Sequence, residues 1–233
     1  MYAELSIING QFENRPPILS KPLLQVALDL PDGNAALAFA YAIREYVDIF
    51  DIGTLLLKKE GAEIIRIFKD AFPTKLIYAD TKTLDLGLFE ARLVFDAGAD
   101  MMSVCGVAAD RTIDLALREG RLRQKEVVID LIGLEASYRQ IKRLSYFQPD
   151  YLMIHTGVDE WHNENTLFQK VEIIAQFCPI PLAFSGGIQL DDIPYLLVFH
   201  PAILVIGSAI STASDPVDMT RRFRESIYGT GLV

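Results

Sequence analysis

Cysteine is scarce in this chain, and the two that occur argue against cysteine chemistry. The 233 residues contain only Cys105 and Cys178, which do not have the spacing of a metal site. Both lie beside apolar segments, which indicates buried thiols rather than a redox pair. Two such cysteines fit a reducing compartment, so we predict a cytoplasmic protein.

Positive charge is also in short supply. Lysine and arginine total 22 against 31 aspartates and glutamates, which gives a formal net charge of −9. Proteins that bind nucleic acid normally present a basic surface, so this balance argues against a nucleic-acid partner. It also means that an anionic ligand must be held by local hydrogen-bond donors, because the overall field repels it.

Long apolar runs are missing. No run approaches the roughly 18 residues that a membrane span needs, so we expect no membrane partner. The first residues lack the basic stretch followed by an apolar one that marks a secretory signal, and we expect none. With 51% hydrophobic and 23% charged residues, the composition is that of a folded globular protein.

What is present is a series of eight short apolar runs, separated by amphipathic stretches of helical period. Near-continuous apolar runs are typical of parallel strands that are covered on both faces. Strand–helix units repeated eight times, roughly every 25 residues, predict a single (β/α)8 barrel over residues 23–233. A doubly wound open sheet is the alternative. Residues 1–22 precede the pattern as a loop-rich N-terminal extension.

The predicted strands are Leu23–Asp29, Asp48–Gly53, Lys75–Asp80, Asp100–Cys105, Glu126–Leu131, Asp150–His155, Pro181–Ser185 and Ile203–Gly207. The predicted helical stretches are Ala35–Tyr46, Glu60–Ala71, Phe89–Ala97, Thr112–Glu119, Glu135–Phe147, Phe168–Phe177, Leu190–Phe199 and Pro216–Ile227.

Ionisable residues gather at the carboxyl ends of these strands, where the active site of a (β/α)8 barrel lies. The stretch from Asp80 to Asp85 places two carboxylates around Lys82 directly after an apolar run, and buried charges need partners or a metal. A single strand-end aspartate often caps the next helix, but so many together indicate a site. The candidates are Asp29, Asp51, Asp80, Lys82, Asp85, Asp130 and His155.

Each residue type suits a different task. Mg²⁺ prefers carboxylate oxygens and keeps waters that a substrate can displace, so Asp51 and Asp80, on consecutive strands, are candidate ligands. Lys82 could hold positive charge beside a developing oxyanion, since the surrounding carboxylates favour its charged form. His155 suits proton transfer near neutral pH, although a packed strand-end histidine is the alternative.

Glycines follow the last two predicted strands. Gly186 and Gly187 come directly after Ser185, and Gly207 precedes Ser208. Glycines there let backbone N–H groups approach an anion, and this is the usual phosphate position in phosphate-binding barrels. The polar loop that continues from His155 to Asn165 contains the only tryptophan, Trp161; it either closes over a ligand or is a solvated loop.

Taken in order, these motifs resemble the orotidine 5′-monophosphate decarboxylase suprafamily. The motifs are Leu28-Asp29, Asp51-Ile52-Gly53-Thr54, Ala79-Asp80-x-Lys82-x-x-Asp85, His155-Thr156-Gly157-x-Asp159 and Ser185-Gly186-Gly187-Ile188. Within the suprafamily, they are most similar to the branch that contains 3-hexulose-6-phosphate synthase and 3-keto-L-gulonate-6-phosphate decarboxylase. The resemblance covers roughly residues 23–228 and leaves the N-terminal extension unexplained.

This resemblance implies a (β/α)8 homodimer that uses Mg²⁺ and a small phosphosugar substrate. The positions that hold the cation in the family are Asp51 and Asp80 here, and Asp85 would reach into the neighbouring subunit's site. Two positions depart from the pattern. Asp51 stands where glutamate is usual, so a bridging water could complete its reach, and Ser208 stands where many members have a phosphate-binding arginine.

Asp130 and Val158 bear on the reaction. Decarboxylase-type members have glutamate at the first position and arginine at the second, so both residues favour the synthase side. We therefore expect an aldolase that condenses formaldehyde with ribulose 5-phosphate through a 1,2-enediolate. The alternatives are 3-keto-L-gulonate-6-phosphate decarboxylation, a Schiff-base aldolase that uses Lys82, and a non-catalytic phosphosugar-binding barrel.

Overall fold

Eight parallel strands close into a barrel in the computed structural model, which describes residues 21–160 and 166–229. The strands follow the chain order, and β8 pairs with β1 through the Val26–Ile206 register. This closure confirms the predicted (β/α)8 barrel, and the alternative of an open sheet is wrong. The strands are β1 Leu23–Ala27, β2 Ile49–Ile52, β3 Leu76–Thr83, β4 Met101–Cys105, β5 Glu126–Asp130, β6 Tyr151–His155, β7 Leu182–Ser185 and β8 Ile203–Ile206.

Helices lie between the strands. Most of the predicted helical stretches are observed with shifted ends, and α2 and α9 are additional short helices that begin just after β2 and β8. The helices are α1 Gly33–Ile43, α2 Thr54–Glu60, α3 Glu63–Ala71, α4 Gly87–Asp96, α5 Asp110–Arg123, α6 Tyr138–Ser145, α7 Thr166–Ile174, α8 Ile193–Leu197, α9 Ser208–Ser211 and α10 Pro216–Tyr228. Within the described residues, no helix combines the length and apolar character of a membrane span.

Two apolar layers hold this architecture together. Side chains alternate along each strand, so one set packs outward against the helices while the other fills the barrel. Phe50 and Phe68 are examples in the outer layer, and both are fully buried. The inner layer is formed by Ile49, Tyr78, Met101, Val128, Met153, Ala183, Ile203 and Val205. Because both faces are covered, the strands are apolar throughout, which is why the sequence marks them.

Strand β3 is longer than the sequence predicts. It continues through the Asp80 motif to Thr83, and its pairing with β4 becomes irregular between Ala79 and Thr83. There the Lys82 N–H donates to Ser103 Oγ at 2.8 Å, and Lys82 adopts a positive φ of 45°. A side-chain hydroxyl thus replaces a regular ladder bond and turns the end of the strand toward the barrel mouth.

Two predicted features lie wholly or largely outside the described residues. The N-terminal extension was predicted for residues 1–22, of which only Lys21 and Pro22 are described. The loop after β6 is described as far as Glu160, and Trp161 is not among the described residues.

Candidate active site

Asp51 is a buried carboxylate with one oxygen free. It lies in β2, is 4% exposed, and its Oδ2 accepts a hydrogen bond of 2.8 Å from Gln25 Nε2. No group of the described residues bonds its Oδ1. The pKa of Asp51 is raised well above its ordinary value, first by burial and then by the charge of Asp80. A buried carboxylate beside a second one, with an oxygen unused, is suited to a cation.

Asp80 is tightly held by three donors. Thr54 Oγ1 donates to its Oδ2 at 2.7 Å, and Ser103 Oγ donates to its Oδ1 at 2.9 Å. The Lys82 ammonium forms an ion pair with the same Oδ2. Oδ2 therefore already has two partners, whereas Oδ1 has one and keeps a lone pair for another.

Lys82 stands between two carboxylates. Its Nζ pairs with Asp80 and lies 4.0 Å from Asp130 Oδ2. Burial alone would lower the pKa of Lys82, but the charges of Asp80 and Asp130 outweigh it and raise the pKa above its ordinary value. The side chain is therefore an ammonium at neutral pH, suited to stabilising negative charge and unsuited to acting as an amine nucleophile.

Asp130 and His155 form a dyad at the ends of β5 and β6. Asp130 is fully buried, and its Oδ2 lies 2.8 Å from His155 Nδ1. Its Oδ1 accepts the N–H of Ile132 at 2.9 Å, which fixes the carboxylate. A carboxylate at Nδ1 selects the tautomer that carries its proton there and leaves Nε2 as a base.

Asp29 belongs to the same cavity. The pKa of Asp29 is raised, first by partial burial and then by Asp80, while Lys82 and His155 act in the opposite direction. Gly53 leaves room for the carboxylate, because a Cβ at that position would lie 2.2 Å from Asp29 Oδ1. The glycine after β2 is thus required for space.

Asp85 is placed differently. It is exposed, and its Oδ1 accepts only the N–H of Leu86 at 2.8 Å, so the structure does not bring it to the site of its own chain. Large apolar side chains surround it on the surface. Leu84, Leu86, Phe89 and Leu93 are each between 58% and 64% exposed.

The glycine segments shape the opposite side of the barrel mouth. Gly186 has a φ of 112°, and a Cβ there would lie 2.4 Å from the carbonyl oxygen of Thr156. Gly187 has a φ of 69°, so two consecutive residues adopt a conformation that favours glycine. Gly207 precedes α9, whose first residue is Ser208. Since α9 has only four residues, backbone N–H groups rather than a helix dipole are what this segment offers to an anion.

The donor set fits Mg²⁺ better than a metal that needs many protein ligands. No cluster of three or more His, Cys, Asp or Glu suited to a metal exists in the described part of the chain. The free oxygens are Asp51 Oδ1 and the remaining lone pair of Asp80 Oδ1. Mg²⁺ is commonly bound through one or two carboxylates, with waters and substrate completing its octahedron.

Three residues of the site were not predicted from the sequence. Gln25 orients Asp51, and Thr54 and Ser103 hold Asp80. Each is a single uncharged polar residue in or beside an apolar strand. Gln25 gave the only usable signal, because a glutamine inside a buried run requires a buried partner.

Comparisons with known proteins agree on one family. The model described as "Orotidine 5'-phosphate decarboxylase / HUMPS family" matches residues 22–223. The 3-hexulose-6-phosphate synthase of Mycobacterium gastri is 35% identical over 204 residues, covering 88% of this chain and 99% of the relative.

Solved structures give the same result. The 3-hexulose-6-phosphate synthase from Salmonella typhimurium matches with a TM-score of 0.85 and 31% identity, covering 88% of this chain and 98% of its own. KGPDC from Streptococcus mutans, in complex with a D-pentose 5-phosphate, matches with a TM-score of 0.80 and 26% identity, covering 88% and 97%.

Proposed function

Because the chain belongs to the orotidine 5′-phosphate decarboxylase / HUMPS family, we propose that it is a Mg²⁺-dependent aldolase. It condenses formaldehyde with ribulose 5-phosphate to 3-hexulose 6-phosphate, reversibly. Relatives named 3-hexulose-6-phosphate synthase, 35% and 29% identical to this chain, support the reaction. The observation that carries the proposal is the 2.8 Å contact of Asp130 with His155, because it puts a base beside the Lys82 ammonium.

The base acts at C1 of the ketose. His155 Nε2 takes a C1 proton, and the electron pair moves toward the C2 carbonyl, which gives the 1,2-enediolate. Asp130 holds the imidazole in position and balances the charge that His155 gains. The C1 carbon of the enediolate then attacks formaldehyde, which forms the new carbon–carbon bond, and the resulting alkoxide is protonated.

Lys82 stabilises the negative charge that develops on the ketose oxygens. Its raised pKa keeps it charged, and its contacts with Asp80 and Asp130 fix its position. Positive charge that is already in place need not be reorganised during the reaction, which lowers the barrier. The raised pKa also argues against a Schiff-base aldolase, which needs a neutral amine.

Asp51 and Asp80 are the residues that would hold Mg²⁺. Bound there, the ion would act as a Lewis acid on the hydroxyketone oxygens of the substrate. Asp29, at the mouth of the same cavity, would contact the substrate hydroxyls.

The phosphate is assigned to the glycine segments after β7 and β8. Backbone N–H groups of Gly186, Gly187, Gly207 and Ser208 would bind it, together with the Ser208 hydroxyl. A relative crystallised with a D-pentose 5-phosphate supports a phosphosugar as substrate. Because this chain has a net charge of −9, the binding must come from these local donors.

A homodimer completes the proposal. Leu84, Leu86, Phe89 and Leu93 expose an apolar surface beside Asp85, and contiguous apolar surfaces of this kind mark contacts between proteins. If two copies pair through that surface, each Asp85 is carried to the site of the other subunit. The aspartate that is idle in its own chain then has a function.

Decarboxylation of 3-keto-L-gulonate 6-phosphate is the second candidate. It would use the same enediolate, and KGPDC structures match this chain at 26% identity. Val158, which is 73% exposed after β6, offers no charge to a carboxylate there. This favours the aldolase.

A paired assay tests the proposal. We expect the protein to consume formaldehyde with ribulose 5-phosphate in Mg²⁺ and to lose that activity in EDTA, because the carboxylates then lack their cation. Release of CO₂ from 3-keto-L-gulonate 6-phosphate is measured in parallel and should be far slower. Faster CO₂ release would establish the second candidate, and turnover of neither substrate would contradict both. Full activity in EDTA would refute the role of Mg²⁺.

A further inference from the structure

The interior of the barrel is polar on one side and apolar on the other. Inward-facing side chains of β1 to β4 include Gln25, Asp51, Tyr78 and Ser103, all buried. The corresponding inward positions of β5 to β8 are filled by Val128, Met153, Ala183 and Val205. The polar half lies directly beneath the carboxylates of the proposed active site.

Three buried oxygens in this half lack a hydrogen-bond partner within the described residues. They are Gln25 Oε1, Asp51 Oδ1 and the hydroxyl of Tyr78. Their residues are 0%, 4% and 1% exposed and lie on three adjacent strands. Leaving one such group unpaired in an apolar interior costs about as much as several hydrogen bonds gain, so three together require an explanation.

These oxygens lie close to one another. Gln25 Nε2 bonds Asp51 Oδ2 at 2.8 Å, so Gln25 Oε1 and Asp51 Oδ1 are no more than about 7 Å apart whatever their rotamers, given ordinary amide and carboxylate dimensions. Asp51 and Tyr78 are direct register partners across β2 and β3. Burial and then the charges of Asp80 and Asp51 raise the pKa of Tyr78 well above its ordinary value, against an opposing effect of Ser103, which places the hydroxyl among these acids.

The chemistry of the three groups is complementary to a single water molecule. Gln25 Oε1 and Asp51 Oδ1 only accept, while the Tyr78 hydroxyl can donate. One water offers two hydrogens and at least one free lone pair, so it satisfies all three at once. Buried waters typically make about three hydrogen bonds to otherwise unpaired polar groups.

We propose that Gln25, Asp51 and Tyr78 form a buried site for one ordered water molecule beneath the proposed active site. Tyr78 is a positioning residue, since it reaches Asp51 only through this water. The water holds Asp51 Oδ1 through one lone pair and leaves the other directed toward a cation. Its consequence for metal binding rests on the proposed function, whereas the water site does not.

High-resolution crystallography of the full chain tests the site directly. Electron density for one water should lie within hydrogen-bond distance of Gln25 Oε1, Asp51 Oδ1 and the Tyr78 hydroxyl. Clear density for these side chains with no water among them would overturn the proposal.

Tyr78→Phe tests the role of the hydroxyl without altering the volume of the core. If the hydroxyl donates to a bound water, its loss should lower Tm by about 2–4 °C for a chain of this size. If the hydroxyl is a true orphan, Phe should raise Tm, which would contradict the site. Tyr151→Phe is the matched control, because it removes a hydroxyl from an inward-facing, partly exposed position away from Asp51.

Mn²⁺, used alone as a paramagnetic probe, tests the link to the cation. Tyr78→Phe should weaken Mn²⁺ binding by about tenfold in electron paramagnetic resonance titrations, as expected for a partner that orients a metal ligand. Tyr151→Phe should leave it unchanged. Equal affinities in wild type and Tyr78→Phe would refute the positioning role. If the wild type binds no Mn²⁺, the metal part of the proposed function fails, while density and Tm still decide the water site.

Discussion

Asp51 is the residue for which burial and charge conflict most strongly. Its pKa is raised well above the ordinary value by burial and by Asp80, so the folded protein binds a proton there more tightly than the unfolded chain does. A raised carboxyl pKa contributes stability that is fully present below the unfolded pKa and is lost as the pH rises through the folded pKa. At neutral pH without a cation, the ionised carboxylate is therefore destabilising.

Asp51→Asn should reverse this effect. In EDTA, the variant should be more stable than wild type by about 1–3 kcal/mol at pH 7, because an uncompensated buried charge is removed. The difference should shrink toward zero near pH 4, where wild-type Asp51 is protonated. Urea unfolding at several pH values measures it. A constant difference across this range would show that Asp51 does not titrate as described.

At the scale of single residues, charge was the signal that sequence analysis could use. Asp80, Lys82, Asp130 and His155 were predicted as site residues, and the structure brings them together. Ser103 was not predicted, because one serine in an apolar strand has no pattern to distinguish it. Its importance arises from the bend of β3, which only the folded chain shows.

At the scale of elements, three aspartates join the strands in pairs at the bottom of the barrel. Each directly precedes an even-numbered strand and accepts the N–H of the second residue in the preceding odd-numbered strand. Asp48 accepts from Leu24 at 2.9 Å, Asp100 from Ile77 at 3.0 Å, and Asp150 from Val127 at 2.8 Å. These bonds satisfy backbone donors at the strand starts and help to set the register.

Asp100 is the strongest of the three for a stability test. It also accepts from Lys69 Nζ and Lys125 Nζ, each at 2.7 Å. Burial tends to raise the pKa of Asp100, but the bonds from Lys125 and Lys69 outweigh it and lower the pKa. Its stabilisation is therefore present above the unfolded pKa and lost as the pH falls through the lower, folded one.

Asp100→Ala should lower the free energy of unfolding by about 2 kcal/mol at pH 7, since hydrogen bonds to a charged group are lost. The loss should diminish in acid. Asp96→Ala is the control, because that side chain is 65% exposed and its pair with Arg123 should contribute no more than about 1 kcal/mol. Equal losses for both variants, measured by urea unfolding, would contradict the role of the strand-foot aspartate.

The eight strands could be predicted because both of their faces are buried. Runs such as Ile203–Ile206 are apolar at every position, and their beginnings and ends were placed within a few residues. Helix α2 was missed because its apolar residues lack a clear period, with Leu55 72% exposed. The extension of β3 was missed because side-chain hydrogen bonds, rather than propensity, produce it.

At the scale of the whole molecule, the surface around Asp85 predicts a dimer. Wild type should elute at twice its 26.0 kDa chain mass. Phe89→Glu places a charge on a side chain that is 64% exposed, and it should give a folded monomer with little activity. Light scattering and circular dichroism measure both properties. A fully active monomer would contradict the assignment.

Mixing two inactive variants tests whether Asp85 acts across the dimer. Lys82→Ala and Asp85→Asn should each be inactive, but a mixed dimer would contain one intact site. Random mixing should restore about a quarter of wild-type activity. If Asp85 acted within its own chain, every site would carry one defect, and mixing would restore nothing.

The central claim is that the Asp130–His155 dyad removes a proton from C1 of ribulose 5-phosphate. The most direct measurement is proton NMR in D₂O with Mg²⁺ and without formaldehyde. Wild type should exchange a C1 proton for deuterium, and His155→Asn should slow that exchange by at least about 100-fold. His200→Asn is the matched control and should exchange normally. Undiminished exchange by His155→Asn, or formaldehyde consumption by wild type without C1 exchange, would contradict the account.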